Sequence, residues 1–273
     1  MFLVFIEILS GHVLSKKLEI IGTRICGGIA YCFVQGVDGV VVGRRFEPYE
    51  GEIVVPDTVE IDGKQHTVVG ILPDAFCCNP YLESVDIRCP IKFLNNNQFY
   101  RCFNLRSVRL PDTVQSIGSY AFFHCHQLMD LKIPNEVKKI ENAAFSCCYQ
   151  LENVDLPPDL EYLGRNAFEK CYDLKQICIP EKIEKIRKET FLDCVDLQKA
   201  VFSDGVNIIG RKAFYNCQSL QSPTFPYGLK RIKDKAFQNC FCIGELLFAQ
   251  NLKAIGWDAF SDCINLRKLT FLG

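Results

Sequence analysis

The chain lacks a surplus of basic residues: 31 Lys and Arg stand against 32 Asp and Glu, a net charge of −1. A protein that works by neutralising phosphates, on nucleic acid or an anionic lipid surface, carries an excess of cations, so both partner classes are set aside. Long apolar runs are missing as well. The longest, residues 1–9, is broken by Glu7 and falls well short of the roughly 20 residues that span a bilayer. No Lys or Arg precedes that run, and Ser10-Gly11-His12-Val13-Leu14-Ser15 makes a poor cleavage site. Residues 1–20 therefore read as an N-terminal segment with at most a weak signal peptide. No Asn-x-Ser/Thr sequon occurs, which weighs against a glycosylating secretory route. The motifs of a nucleophile elbow, a phosphate-binding loop, a dinucleotide fold or a zinc protease are all absent, and there are only four His. No enzyme and no cofactor is expected.

What is present is a repeat. Phe76, Phe99, Phe122, Phe145, Phe168, Phe191, Phe214, Phe237 and Phe260 stand 23 residues apart without an insertion. Three residues after each Phe comes a Cys, from Cys102 to Cys263, with Asn79 as the exception in the first unit. Six residues after it comes Leu, or Ile243 in the eighth unit, and Ala precedes the Phe except at Gln98 and Thr190. Columns held in register over nine units are the mark of a solenoid, because no unit buries its Phe alone and stacking makes the core continuous.

Each unit has a physical reading. Leu128-Met129-Asp130-Leu131-Lys132-Ile133-Pro134 alternates apolar with polar and stops at proline, as a short strand does. A second apolar pair follows, as in Val137 and Ile140, often with a Gly (Gly118, Gly164, Gly210, Gly256) to allow a tight bend. The Ala-Phe-x-x-Cys-x-x-Leu run spaces its apolar residues by three, which predicts a helical turn. At about 4.8 Å per parallel strand, nine coils make a ladder roughly 38 Å long. In the second unit, Asn95-Asn96-Asn97-Gln98 predicts a distorted bend, and Pro223, which has no N–H to donate, predicts a local break in the seventh.

The pattern L-x-x-[VIL]-x-[LIF]-P, followed by I-G-x-x-A-F-x-x-C-x-x-L, resembles the BspA-type leucine-rich repeat family. The resemblance covers about residues 71–273 and implies an α/β-type repeat solenoid. In that fold a right-handed coil carries a parallel β-sheet on its concave face and short helical turns elsewhere. Residues 21–70, with turn signals at Asp38-Gly39 and Asp62-Gly63, look like the β-hairpin leader of this family and read as an N-terminal β-hairpin cap on the first coil. The chain stops directly after the ninth strand, which leaves two expectations open: pairing of that edge with another chain, or a shortened piece of a longer array. The family resemblance further implies a surface or secreted adhesin-like protein. A cytoplasmic location and a role in protein assembly through the ninth coil form the alternative.

The eight column cysteines read as small buried thiols, since stacked neighbours hold their Cβ atoms near 4.8 Å with parallel vectors, too far for an unstrained bridge. Cys26 and Cys32 could pair with each other. His124-Cys125-His126 and Cys240-Phe241-Cys242 invite a metal reading, but their central or leading Cys points inward and the two His are expected to differ in direction, so no metal is assigned. Function is expected on the outward strand positions of the concave face: Asp86, Arg109, Asp130, Lys132, Asn153, Asp155, Gln176, Lys199, Thr224, Glu245 and Lys268. Their mixed charge and few aromatics suit a protein or glycan surface better than a single-stranded nucleic acid, and the family resemblance implies a host or matrix protein as the partner. Monomer and end-to-end self-association both stay open.

Overall fold

The computed structural model describes residues 3–5, 17–129 and 131–272. The weak signal-peptide reading of residues 1–20 falls mostly outside them, and Asp130 falls outside them too. Nine coils stack along a spine of phenylalanines. Neighbouring rings from Phe76 to Phe260 lie 5.1–5.6 Å apart, and none of the eight pairs is tilted by more than 16°. Tyr49 extends the spine by one ring, 5.0 Å from Phe76. Leu82 to Leu220 and Cys102 to Cys240 fill the rest of the axis, fully buried. Each buried Phe or Leu contributes about 1.5–3 kcal/mol of burial, so a stack of short coils is cohesive without special staples.

The cysteine column has a specific cause. The thiol of Cys102 donates to the Phe76 carbonyl of the preceding coil at 2.9 Å, and the same bond recurs seven times, at 3.1–3.3 Å, through to Cys263 and Phe237. Cysteine is the small apolar residue that also carries a weak donor, and that donor meets a buried carbonyl at each step. All sixteen thiols are free. Cys26 donates to the Glu60 carbonyl and Cys32 lies beside the Thr23 hydroxyl, so the two do not bridge.

The expected helical turns are absent: the described residues contain strands and turns but no helix. In every coil the residues two before and two after the Phe have positive φ, as at Tyr120 (58°) and His124 (60°) in the third coil. Two left-handed residues four apart cannot lie in a right-handed helix. They turn every second N–H toward the next coil instead, so that Asn97, Phe99 and Arg101 donate to Ser119, Ala121 and Phe123 at 2.7–3.0 Å. The three-residue spacing comes from successive turns, with Tyr100 bonded to Asn97, Cys102 to Phe99 and Leu105 to Cys102.

Strands form on two sides of the stack rather than one. The second apolar pair builds two four-stranded parallel ladders, Phe93–Leu94 through Tyr162–Leu163 and Lys185–Ile186 through Ala254–Ile255. On the strand face the ladder is interrupted. Gly51–Val55, Leu82–Ile87 and Ser107–Arg109 pair in parallel, then Gln176–Ile179 with Lys199–Phe202, then Glu245–Phe248 with Lys268–Phe271. The continuous concave sheet is thus three shorter sheets. One gap falls at Pro223, where the backbone lacks its donor and the Ser222 hydroxyl accepts from the Gly244 and Glu245 N–H groups at 3.0 Å. The apolar column crosses that gap unbroken, with Phe225 stacked on both Phe202 and Phe248.

The second coil is regular, contrary to expectation: Phe93–Leu94 pairs in register with Ser116–Ile117, and Asn97 keeps the left-handed φ of its column. Gln98 is fully buried in place of Ala and is satisfied by the Leu72 carbonyl and Asn95. The column glycines are also explained differently. Gly118 and Gly164 do not have positive φ; a Cβ there would lie 2.7 and 2.5 Å from the backbone of Asn95 and Glu141 in the preceding coil. They permit close approach, not a special bend.

Before the first coil stands a six-stranded sheet instead of a lone hairpin. Its order is Leu3–Phe5, Lys17–Cys26, Ile29–Val34, Val40–Val42, Lys64–Ile71, Thr58–Ile61, antiparallel except for the pairing of Val40–Val42 with Lys64–Ile71. Val40–Val42 is completely buried, and a two-stranded ribbon cannot bury a strand in that way.

Candidate functional site

The strand face carries the outward side chains that the alternating pattern selects. Asp86 lies opposite Arg109, Gln176 opposite Lys199 and Glu245 opposite Lys268 in parallel register, and Asn153 bridges to Gln176. Arg109, Lys132, Asn153, Asp155, Gln176, Lys199, Thr224, Glu245 and Lys268 are exposed, and Asp86 is half-buried. The structure gathers some of them and separates others. A recess of about 890 Å3 across coils one to three is lined by Asp86, Arg88, Arg109 and Lys132 with Ser84 and Ser107. A second, of about 520 Å3, takes Lys199, Val201, Ser222 and Thr224 across coils six and seven. Asn153, Asp155 and Gln176 line neither recess, nor do Glu245 and Lys268.

The electrostatics of the first recess are unbalanced. Asp86 binds Arg88 through Oδ2 at 2.9 Å, while its Oδ1 is buried with no hydrogen-bond partner among the described residues. Arg109 and Lys132 form no ion pair among the described residues. A buried acceptor without a donor is costly until something supplies one. The far half of the face is different: where the near coils have Asp86, Arg109, Lys132 and Asp155, the later ones have Cys178, Val201, Thr224 and Leu247 in the same column, with Val201 41% and Leu247 51% exposed. This column is charged at one end and uncharged at the other, while Lys199, Glu245 and Lys268 keep charge in the neighbouring column.

A second cluster, on the arm of turns around each Phe, was not anticipated. Phe103, His126, Tyr149 and Tyr172 occupy one 23-residue column; Phe103 lies 5.0 Å from His126 at a 39° tilt, and His126, Tyr149 and Tyr172 stack at 4.4 and 4.9 Å. Tyr100 stacks on Phe123 at 5.3 Å, and Tyr120 meets Phe123 edge-on. His124 and His126 do not diverge: His124 Nδ1 lies 2.8 Å from His126 Nε2, with His124 in the left-handed conformation (φ 60°) that its position holds in every coil. Burial lowers the pKa of both rings, and the His126 charge lowers that of His124 further. The 23-residue recurrence of the rings was visible in the sequence; the backbone turn that joins the two imidazoles was not.

Among the described residues no group of three or more His, Cys, Asp or Glu is placed to hold a metal ion. No helix among them is long and apolar enough to cross a membrane.

Comparisons with known proteins agree on the architecture. A leucine-rich repeat protein from Bacteroides ovatus superposes with a TM-score of 0.70 at 22% identity, over 91% of this chain and 70% of that one. One from Eubacterium ventriosum gives 0.58 at 20% identity, over 77% of this chain and 58% of its own length. No curated protein matches the chain in sequence. The family model for the BspA type leucine rich repeat region matches six copies, over residues 70–198 and 184–273. The nine-ring spine, the parallel coils and this match lead to one assignment: the chain belongs to the BspA-type leucine-rich repeat family.

Proposed function

We infer that the protein is a non-enzymatic binding scaffold whose strand face engages a protein partner, in the manner of a surface or secreted adhesin. Leucine-rich repeat proteins generally bind proteins, and solenoids present long surfaces for that purpose. The observation that carries the reading is the recess over coils one to three, where Arg109 and Lys132 have no ion pair and Asp86 Oδ1 no hydrogen-bond partner among the described residues. A partner segment that offers both a carboxylate and a donor would satisfy all three groups, and an apolar side chain further along would cover Val201 and Leu247. In this reading residues 21–70 seal the first coil and residues 71–273 form the binding array. A photo-crosslinking residue at position 109 or 199 should trap an extracellular protein, and one at position 139, outward on the neighbouring ladder, should not. Equal adducts from all three positions would defeat the assignment of the face.

Assembly through the ninth coil is the second reading. Leu269 and Phe271 are 48% and 59% exposed, whereas Leu246 and Phe248 one coil earlier are 3% and 1% exposed. That edge would take a further parallel coil from a continuation of the chain or from a second copy. Sedimentation that shifts with protein concentration, and reverts in Leu269→Pro, would favour it.

A further inference from the structure

We propose that His124 and His126 form a two-imidazole site for a divalent transition-metal ion, with Nδ1 of His124 and Nε2 of His126 as the ligand atoms. The site stands apart from the strand face and goes beyond the binding role inferred for it.

Three features of the geometry carry the proposal. The two nitrogens already converge, 2.8 Å apart. Two ligands at about 2.0–2.1 Å from a tetrahedral ion lie about 3.3 Å from each other, so the pair must open by about 0.5 Å and each ring must turn by roughly 35° to bring its lone pair from the N···N line onto the ion. The backbone beneath them is fixed: the His124 N–H donates to the Ser146 carbonyl at 3.0 Å, and Cys125 between them is fully buried with its thiol on the Phe99 carbonyl. The rings are clamped as well. Phe123 meets His124 edge-on at 4.3 Å, and His126 is held between Tyr149 at 4.4 Å and Phe103 at 5.0 Å. A chelate whose arms are ordered before the ion arrives forgoes most of the entropic cost of binding.

In the free protein one ring donates its N–H to the other. To bind the ion that donor ring moves its proton to its other nitrogen, so that both facing lone pairs are available and no proton is lost. Both rings are half-buried, which leaves one side of the pair open to water. With no third protein ligand among the described residues, water completes the coordination and the ion exchanges. Imidazole ligands select Cu2+, Ni2+ and Zn2+ over Ca2+ and Mg2+, with Cu2+ bound most tightly.

The test uses the full chain and separates imidazoles from thiols, because Cys78, Cys178 and Cys242 are exposed and bind the same ions. Exposed thiols are first alkylated on the folded protein, and Ni2+ is then titrated by calorimetry at pH 7.5. The variants are taken from the repeat itself. His124→Asn follows Asn216 and Asn239, which hold the same left-handed position, and His126→Tyr follows Tyr149 and Tyr172 in its own column. One Ni2+ per chain is expected for the alkylated protein. Each variant should weaken it by at least the roughly 10–100-fold that even outer-shell changes cost a metal site. His66→Gln, on the N-terminal sheet, should change nothing. No Ni2+ binding by the folded, alkylated chain up to millimolar concentration would overturn the proposal. Undiminished binding by both variants, with circular dichroism showing them folded, would overturn it too.

Discussion

The buried thiol column makes the protein sensitive to alkali, and the effect follows from the geometry. Burial pushes the column thiols up from an ordinary value near 9, Cys102 to about 12 and those from Cys125 to Cys240 well above that ordinary value. A group whose folded pKa is raised contributes stability that is complete below the unfolded value and is lost as pH rises above it. At pH 10 an unfolded thiol gains about 1.4 kcal/mol by ionising, while its folded counterpart stays protonated. Seven such thiols, Cys102 through Cys240, together remove about 10 kcal/mol, which is the whole stability of a typical domain. Urea unfolding followed by circular dichroism under reducing conditions should give a midpoint that is flat from pH 7 to 8, bends near 9, and falls steeply toward 10. Replacing three column cysteines with Ala should flatten the alkaline limb, although each change lowers stability at pH 7 by about 1–2 kcal/mol through the lost thiol bond and volume. A midpoint that holds level to pH 10, or column thiols that react with iodoacetamide at pH 8 in the folded protein, would refute the reasoning.

Other expectations follow from the stacking. Phe168 is fully buried between two parallel rings, so Phe168→Ala should cost about 3–5 kcal/mol. The half-buried Phe260, with one spine neighbour, should cost clearly less in the same urea assay. Gly164→Ala forces a Cβ into the Glu141 backbone and should destabilise by about 1–3 kcal/mol, whereas alanine at an exposed position such as Lys138 should be neutral. Hydrogen exchange in Phe168→Ala should rise first in the coils next to Phe168, because each coil is coupled only to its neighbours.

Much of this architecture was legible because its core is written in single columns. Phe, Cys and Leu at a fixed period state which atoms meet, whatever the backbone does between them. The turns were misread because apolar residues three apart are shared by a helix and by successive turns with left-handed hinges. The distinguishing signal was present but partial: Asp74, Asn97, Asn166 and Asp258 before the Phe, and Asp193, Asn216, Asn239 and Asp262 after it, are types that tolerate positive φ. Tyr120, Ala143, Glu189 and Lys212 hold the same conformation with no such mark, because the stack imposes it on them. The candidate strand-face residues were legible as outward positions, but their division between two recesses was not. That division depends on where the strand ladder is interrupted, and Pro223 marked only one of the gaps. The imidazole pair was hidden for the same reason as the turns, since the hinge at His124 decides where its ring goes.

The central claim is that the strand face, and not the arm of turns, carries partner recognition. It is tested most directly by measuring binding of the partner trapped at position 109 to three forms of the chain: the parent, Arg109→Glu combined with Lys132→Glu, and His126→Tyr on the arm of turns. All three forms should unfold with similar midpoints, since Arg109 and Lys132 are exposed and His126→Tyr copies Tyr149 and Tyr172 in its own column. The account expects the charge-reversed form to bind at least tenfold more weakly at moderate salt and the arm variant to bind as the parent does. Unchanged affinity in the charge-reversed form, or loss confined to the arm variant, would contradict it.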